Sequence, residues 1–168
     1  MTIDLGPAGK SGVEARIYPR KTGYMIHVLG TDHWRDWLHH VTPFARRREW
    51  QAAEKIIAAL VELGIAKRDE GWSYTPGDDV VISGHSWGGC IAAMVATILV
   101  IPCYIYGGKR SPRKGLTRYY ATRAYRHRGD IVPFLPPWRP RYTDEVVFGI
   151  WGWPWEAHGL SSYREVMV

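Results

Sequence analysis

Residues 80–90 read VVISGHSWGGC, and this stretch decides the fold. Its first four residues, VVIS, form a mostly apolar and β-branched run, which predicts a buried strand, and residues 89–99 predict a helix of small and apolar side chains. Ser86 lies between them, with a glycine two places before it and another two places after it. This arrangement is typical of a strained turn that exposes a nucleophilic serine, and the turn leaves no room for a β-carbon at either glycine.

The turn also has an electrostatic consequence. It puts the backbone N–H of Trp87 at the N-terminus of the predicted helix, where developing negative charge is stabilised. A tight strand-to-helix turn whose serine only caps the helix is the alternative interpretation. The strand before the motif and the helix after it favour the nucleophile.

Composition and length predict one globular domain over residues 1–168, with residues 1–12 as a loose lead-in. The net charge of +6 favours an anionic surface contact through Arg/Lys clusters, although a solvated basic surface is the simpler explanation. Nothing indicates a specific nucleic-acid site. Two cysteines, Cys90 and Cys103, provide neither a disulfide framework nor metal-ligand spacing, so we expect no metal or cofactor.

We expect neither a secretion signal nor a membrane-spanning segment. The N-terminus lacks a basic start and an apolar stretch, and the apolar residues 90–106 are interrupted by Pro102 and too short to cross a bilayer. We therefore expect a protein that is cytoplasmic, or released without a recognisable signal peptide.

Strand and helix patterns alternate along the chain. The pattern predicts a hairpin of residues 14–18 and 24–29 with Gly23 in the turn, a helix over 46–63, a polar loop over 66–79, strands over 101–106, 118–125 and 145–151, and a short terminal helix. This alternation predicts an α/β fold with a mostly parallel central sheet flanked by helices.

A serine hydroxyl needs a base to take its proton and a carboxylate to orient that base. After such a turn the partners follow in the order acid, histidine. His127 lies between two arginines, which disfavour an imidazolium, whereas His158 lies in a glycine-containing turn near the C-terminus. We therefore predict His158 as the base, a surface or core histidine being the alternative.

The candidate acids are Asp130, Asp144, Glu145 and Glu156. Asp130 follows a predicted strand and so belongs to the carboxyl edge of the sheet, where sites form. Asp144 and Glu145 precede a strand and so belong to the opposite edge. Glu156 is too close in sequence to His158 to reach its ring. Asp130 is the predicted acid; capping a helix or pairing with nearby arginines is its alternative role.

The loop after an earlier strand should supply the second oxyanion donor. Thr31 follows such a strand and offers both a backbone N–H and a hydroxyl, although it could also only cap the next helix. Trp34 and Trp37, in the amphipathic segment that follows, and His85 beside the serine are candidate substrate contacts.

Four segments, in this order, resemble the class 3 lipases, the fungal-lipase-like branch of the α/β hydrolases. They are residues 28–38 (VLGTDHWRDWL), 84–89 (GHSWGG), 128–137 (RGDIVPFLPP) and 158–163 (HGLSSY). The resemblance implies a compact α/β-hydrolase fold with Ser86 as nucleophile, Asp130 as orienting acid and His158 as base. It also implies an oxyanion hole formed by Thr31 and the N–H of Trp87.

The chain departs from the pattern of that family at several points. Trp87 replaces the usual leucine, Ala157 stands where an acid is frequent, and the segment that normally follows residues 28–38 is not recognisable. A minimal lid, or none, is therefore expected.

These observations predict a serine ester hydrolase, a lipase or esterase acting on a small-molecule or lipid ester through an acyl-enzyme. Two alternatives remain open. One is thioester or amide cleavage by the same three residues. The other is an inactive fold that binds polyanions through residues 109–114 and 118–128, with steep salt dependence.

Overall fold

The computed structural model describes residues 1–7, 12–30, 45–71, 73–110, 122–135, 137, 141–142, 144–149 and 151–167. The strands are β1 (Thr2–Pro7), β2 (Gly12–Pro19), β3 (Tyr24–Val28), β4 (Ala66–Arg68), β5 (Tyr74–Pro76), β6 (Val80–His85), β7 (Cys103–Tyr106), β8 (Thr122–His127) and β9 (Glu145–Phe148). The α-helices are α1 (Ala45–Glu62), α2 (Trp87–Leu99) and α3 (Pro154–His158). Two 3₁₀ segments cover Val132–Phe134 and Leu160–Val166.

A seven-stranded mixed sheet forms the centre of the structure. Its strand order is β1-β2-β3-β6-β7-β8-β9. The pairs from β3 through β9 are parallel, and β1, β2 and β3 pair as an antiparallel meander. The predicted α/β fold with a mostly parallel sheet is confirmed. Because parallel strands end on the same side, β3, β6, β7, β8 and β9 deliver the residues that follow them to one edge.

Strand β6 lies in the middle of this sheet, and all six of its residues are buried. Such a strand has apolar neighbours on both faces, which explains its continuous rather than alternating apolar pattern. Helix α2 packs against β6 and β7, and α1 packs against α2. Apolar side chains of α1, including Ile56 and Leu60, join Ile91 and Val95 of α2 in one buried cluster.

The prediction of a loose lead-in over residues 1–12 is wrong for residues 2–7 and 12, which are paired in strands, while residues 8–11 lie outside the described residues. Strand β1 pairs with β2 from Thr2 opposite Arg16 to Pro7 opposite Gly12. The terminal amino group of Met1 donates a hydrogen bond to the carbonyl of Ile17 at 2.9 Å. Cross-strand pairing of this kind depends on the partner strand, which is why the polar, glycine-containing segment carries no local signal of it.

The polar loop predicted over residues 66–79 contains a second, two-stranded sheet. Strands β4 and β5 are three residues each and pair in antiparallel fashion from Ala66 opposite Pro76 to Arg68 opposite Tyr74. The hydroxyl of Thr75 donates to a carboxylate oxygen of Asp69 at 2.7 Å. Strands this short and this exposed have no apolar alternation for a sequence pattern to detect.

The other predicted elements agree with the structure to within a few residues. The helix predicted over 46–63 is α1, and the hairpin has Gly23 in its turn with φ of 86°. Residues 118–121 of one predicted strand lie outside the described residues, and so does the amphipathic segment that carries Trp34 and Trp37. The expectation of a minimal lid, or none, stays a prediction. Within the described part of the chain, no helix has the length and apolar character needed to cross a membrane.

The turn between β6 and α2 brings three stretches of backbone into contact. A β-carbon on Gly84 would lie 2.4 Å from the carbonyl oxygen of Gly88, and one on Gly88 would lie 2.2 Å from that of Val28. Contacts below 3.0 Å do not occur for real β-carbons, so both positions require glycine. The crowding predicted on either side of Ser86 is confirmed.

We predict that Gly88→Ala lowers the free energy of unfolding by about 3 kcal/mol or more, because backbone atoms of two elements would have to separate to admit the methyl group. Urea denaturation followed by circular dichroism measures the change. The matched control is Gly152→Ala, whose new β-carbon would meet no atom within 4 Å, and it should change stability by no more than about 0.5 kcal/mol. Equal stability of the two variants would contradict the steric argument.

Candidate active site

Ser86 occupies a strained backbone conformation between β6 and α2. Its φ and ψ are 56° and −123°, a combination that a residue with a β-carbon adopts only when its surroundings force it. Its N–H donates to the carbonyl of Tyr106 at 3.0 Å, and its own carbonyl accepts from the N–H of Gly89 at 3.2 Å. The strand on one side and the helix on the other thus hold the serine in place.

A continuous chain of hydrogen bonds joins Ser86, His158 and Asp130. Nε2 of His158 lies 2.9 Å from the hydroxyl oxygen of Ser86, and Nδ1 lies 3.0 and 3.1 Å from the two carboxylate oxygens of Asp130. A carboxylate only accepts hydrogen bonds, so Nδ1 carries the proton and Nε2 accepts from the serine hydroxyl. The structure therefore brings together the three residues that the sequence singles out.

The carboxylate of Asp130 is buried, with 1% of the residue exposed, and other donors hold it as well. The N–H of Val132 donates to one oxygen at 2.9 Å, and the hydroxyl of Tyr163 donates to the other. Burial and the neighbouring negative charge of Asp130 raise the pKa of Tyr163, so this phenol stays protonated and remains a donor. The carboxylate is thus fixed by contacts with three segments of chain.

Gly107 makes room for this arrangement at the carboxyl end of β7. Its φ is 55°, and a β-carbon there would lie 2.7 Å from a carboxylate oxygen of Asp130 and 2.7 Å from the hydroxyl oxygen of Tyr163. Only glycine combines that backbone conformation with the close approach of both side chains.

His85 lies against the main chain and the ring of His158. Its Nε2 is 2.7 Å from the backbone carbonyl oxygen of His158, so Nε2 carries the proton and donates. The two rings stack with centroids 4.9 Å apart and planes inclined by 28°. Burial, followed by the positive charge that His158 can carry, lowers the pKa of His85 to about 3.

These contacts give His85 a position behind the predicted base. Only 7% of the residue is exposed, and its described contacts are with His158 and, edge to face, with Tyr163 at 5.7 Å between ring centroids. Its substrate-contact role stays a prediction.

The backbone nitrogen of Trp87 starts helix α2, and the end of β3 approaches it. A β-carbon on Gly30 would lie 3.3 Å from that nitrogen and 2.8 Å from Cβ of Ser86. The N–H groups of a first helical turn lie outside the helix's own hydrogen-bond ladder. Thr31, the residue after Gly30, lies outside the described residues, as do the predicted substrate contacts Trp34 and Trp37.

The side chain of Trp87 belongs to a buried polar cluster that sequence patterns did not reveal. Its indole N–H lies 3.3 Å from a carboxylate oxygen of Glu49, and the ammonium of Lys109 forms an ion pair with the same oxygen. Glu49 is fully buried and Lys109 is 4% exposed. The ammonium also lies 6.0 Å from the centre of the indole ring.

This cluster corrects one sequence-based hypothesis. Lys109 is the first residue of the basic stretch 109–114 proposed for polyanion contacts, but it is buried and neutralised internally. Residues 111–121 lie outside the described residues. Arg47 and Arg48, at the start of α1, are exposed.

The other candidate base and the other candidate acids have different surroundings. The ring of His127 packs edge to face on Phe148, with centroids 5.3 Å apart. Asp144 and Glu145 pair with arginines of β8, at 3.7 and 3.3 Å respectively. Glu156 is exposed.

Sequence reasoning missed Tyr163, Gly107 and Glu49. Tyr163 ends the fourth lipase-like segment, but nothing in that segment indicates its hydrogen bond to Asp130. Gly107 lies in the basic, glycine-containing loop after β7, and nothing in that loop indicates its closeness to Asp130. A buried glutamate in the first turns of an amphipathic helix has no local signal.

The fold is shared with the Lip2 lipase of Yarrowia lipolytica, for which two crystal structures match. The TM-scores are 0.50 and 0.51 at 14% sequence identity, over 82% and 83% of this chain and 62% and 67% of those chains. The chain has a lipase-type α/β-hydrolase fold. The predicted resemblance to the class 3 lipases is thereby confirmed for the fold.

One curated relative adds a sequence match to this lipase fold. An extracellular phospholipase A1 of Serratia liquefaciens is 34% identical over 86 residues, which is 51% of this chain and 24% of that protein. The chain therefore matches about a quarter of the length of that relative. No protein-family model matches the chain.

We predict that His85 makes the folded protein sensitive to acid. The unfolded imidazole binds a proton near pH 6.5 and the folded one only near pH 3, so unfolding takes up a proton between these values. Stability is therefore lost as the pH falls, by about 3 kcal/mol from pH 7 to pH 4 for this group.

Urea denaturation at several pH values measures this loss. His85→Gln keeps a donor for the carbonyl of His158 but does not titrate, so its stability should fall less steeply between pH 7 and pH 4 than that of the unmodified protein. Parallel curves for the two proteins would contradict the prediction.

We also predict that Lys109→Met lowers the free energy of unfolding by about 3–5 kcal/mol, because it removes the ammonium that balances the buried carboxylate of Glu49. The matched control is Arg16→Met, which breaks an ion pair with Glu14 whose side chains are 49% and 33% exposed, and it should cost at most about 1 kcal/mol. Thermal unfolding of both variants at one pH tests the difference, and similar losses would count against a structural role for the buried pair.

Proposed function

We propose that the protein is a serine hydrolase that cleaves carboxylic esters of lipids through an acyl-enzyme on Ser86, His158 and Asp130. The observation that carries the proposal is the unbroken hydrogen-bond chain from the hydroxyl of Ser86 through His158 to the buried carboxylate of Asp130. Hydrogen bonds of 2.9–3.1 Å are within the range needed for proton transfer between a nucleophile and its base.

Acylation begins with transfer of the serine proton. Nε2 of His158 takes the proton of the Ser86 hydroxyl as the oxygen forms a bond to the ester carbonyl carbon. The carboxylate of Asp130 accepts from Nδ1–H and stabilises the imidazolium that results. The imidazolium then gives the proton to the departing alcohol oxygen, and the C–O bond of the ester breaks.

The negative charge that develops on the carbonyl oxygen needs donors. The N–H of Trp87, at the start of α2, is one, and the helix N-terminus adds a favourable electrostatic field. Thr31 is the second, and its assignment is supported by the approach of the preceding residue, Gly30, to Ser86 and Trp87. Donors of this kind lower the barrier by about 3–4 kcal/mol each.

Deacylation repeats the sequence with water. Nε2 of His158 takes a proton from the water, the hydroxide oxygen bonds to the acyl carbon, and the Ser86 oxygen leaves and regains a proton from His158. The neutral state of His85 contributes here, because a positive charge stacked on the imidazolium would oppose its formation.

The lipid substrate class is supported by the two kinds of relative. One is a lipase with the same fold, and the other is a phospholipase A1 matched over half of this chain. A carboxylic ester is the group that the arrangement of nucleophile, base and oxyanion donors suits directly.

Ser86→Ala should lower kcat for hydrolysis of nitrophenyl butyrate by at least about 10³-fold and abolish labelling by a fluorophosphonate, because both need the hydroxyl oxygen. Intact-mass measurement of the labelled protein identifies the adduct. The matched control is Ser161→Ala, which removes an exposed hydroxyl near the C-terminus and should leave both rate and labelling unchanged.

Three results would count against the proposal. Labelling of the Ser86→Ala variant would assign the reactive residue elsewhere. Unmodified protein that neither reacts with the fluorophosphonate nor hydrolyses any nitrophenyl ester would favour the inactive binding fold. Faster turnover of a thioester analogue than of the matched ester would direct the assignment to thioester cleavage.

A further inference from the structure

Two tryptophans are almost fully solvent-exposed in the segment between β9 and α3. Trp151 is 80% exposed and Trp153 is 75% exposed. Tryptophan is highly buried on average, so two tryptophans with this exposure, separated by one residue, indicate a binding surface. We call Trp151 and Trp153 the tryptophan pair.

The tryptophan pair lies beside the proposed active site. Strand β9 ends at the carboxyl edge of the sheet, and the segment runs from there into the helix that carries His158. Gly152, between the two tryptophans, packs against Gly129: a β-carbon on Gly129 would lie 2.8 Å from the carbonyl oxygen of Gly152. Asp130 is the next residue, so the pair borders the loop that holds the carboxylate.

We propose that the tryptophan pair is an interfacial anchor that seats the edge of the sheet carrying Ser86 on a lipid surface. The proposal rests on the proposed function, since the surface is the one that contains the ester. An indole has a large apolar body and one N–H, and it partitions to the boundary between headgroups and acyl chains for that reason. Ile131, which follows Asp130, is 41% exposed and adds apolar area on the same loop.

Charge favours a lipid surface as the occupant. The chain carries a net charge of +6, and Arg128, adjacent to Gly129, is exposed. Arg164 is also exposed on the segment after His158, but the exposed Glu156 and Glu165 balance the two arginines locally, so the attraction comes from the net charge of the whole chain. An anionic headgroup layer would be attracted by the protein as a whole and contacted by the arginine beside the pair.

The exposed area is too small for a stable dimer. A tryptophan offers about 250 Å² at most, so the pair exposes about 400 Å². A standard interface needs about 800 Å² from each partner. Insertion into a fluid interface has no such minimum, since two aromatic side chains and a few cations already contribute to partitioning.

The test measures binding to sucrose-loaded vesicles of phosphatidylcholine with 30 mol% phosphatidylglycerol by sedimentation. All proteins carry Ser86→Ala, so that the lipid is not hydrolysed and binding is read independently of catalysis. Adding Trp151→Ala and Trp153→Ala should lower the partition coefficient at least tenfold. The matched control removes two exposed aromatic side chains at the opposite edge of the sheet, Tyr18→Ala with Tyr24→Ala, and should lower it less than twofold.

The outcomes separate this proposal from the proposed function. Equal binding with and without the tryptophan pair, or no vesicle binding by the parent protein, overturns the anchor. Sedimentation velocity tests for self-association. If the protein self-associates in a concentration-dependent way, loses this when the tryptophan pair is replaced, and does not bind vesicles, the surface is assigned to a second copy and the anchor is also overturned. The fluorophosphonate experiment decides the proposed function separately, and thermal unfolding checks that the variants fold.

Discussion

The steric crowding around Ser86 is the constraint on which the rest of the structure depends. Three backbones, from β3, β6 and α2, approach one another so closely that Gly84 and Gly88 have no space for a methyl group. This contact fixes the φ of 56° at Ser86 and points its side chain away from the sheet. It also requires β3 and β6 to be parallel neighbours, because the carbonyl of Val28 and the helix start must meet at the same edge. The seven-stranded sheet provides that alignment.

Electrostatics then decides which groups near the serine carry charge. Asp130 is buried, and its carboxylate is stabilised by donors from His158, Tyr163 and the backbone of Val132. Burial and that carboxylate raise the pKa of Tyr163, and His85 stays neutral above about pH 3 because it is buried against His158. The imidazole of His158 thus lies between an anion and a neutral aromatic ring. That environment suits the proton transfer proposed for His158, in which its charged form is transient.

The sequence predicted those features that depend on local pattern and chain order. The glycines flanking Ser86, the buried run of β6 and the order serine, acid, histidine were sufficient to bring Ser86, Asp130 and His158 together in one hypothesis. Prediction from the sequence failed where the role of a residue depends on a partner that is distant in the chain. Glu49 and Lys109 are 60 positions apart and neither neighbourhood encodes the other, while β1 and the β4–β5 pair owe their structure to cross-strand partners. Thr31, Trp34 and Trp37 remain predictions.

The pairing of β3 with β6 has a kinetic consequence. His27 and Ser83 meet across these strands at 2.8 Å although 56 residues separate them, and Ser86 meets His158 across 72 residues. Contacts of such sequence separation incur a loop-closure entropy before they contribute stability, which slows folding to milliseconds or longer. During synthesis, the meander of β1 to β3 can form from its own short-range contacts. The hydrogen bond between Ser86 and His158 can form only after residues 158–163 have left the ribosome, so the proposed nucleophile has no proposed base beside it until then.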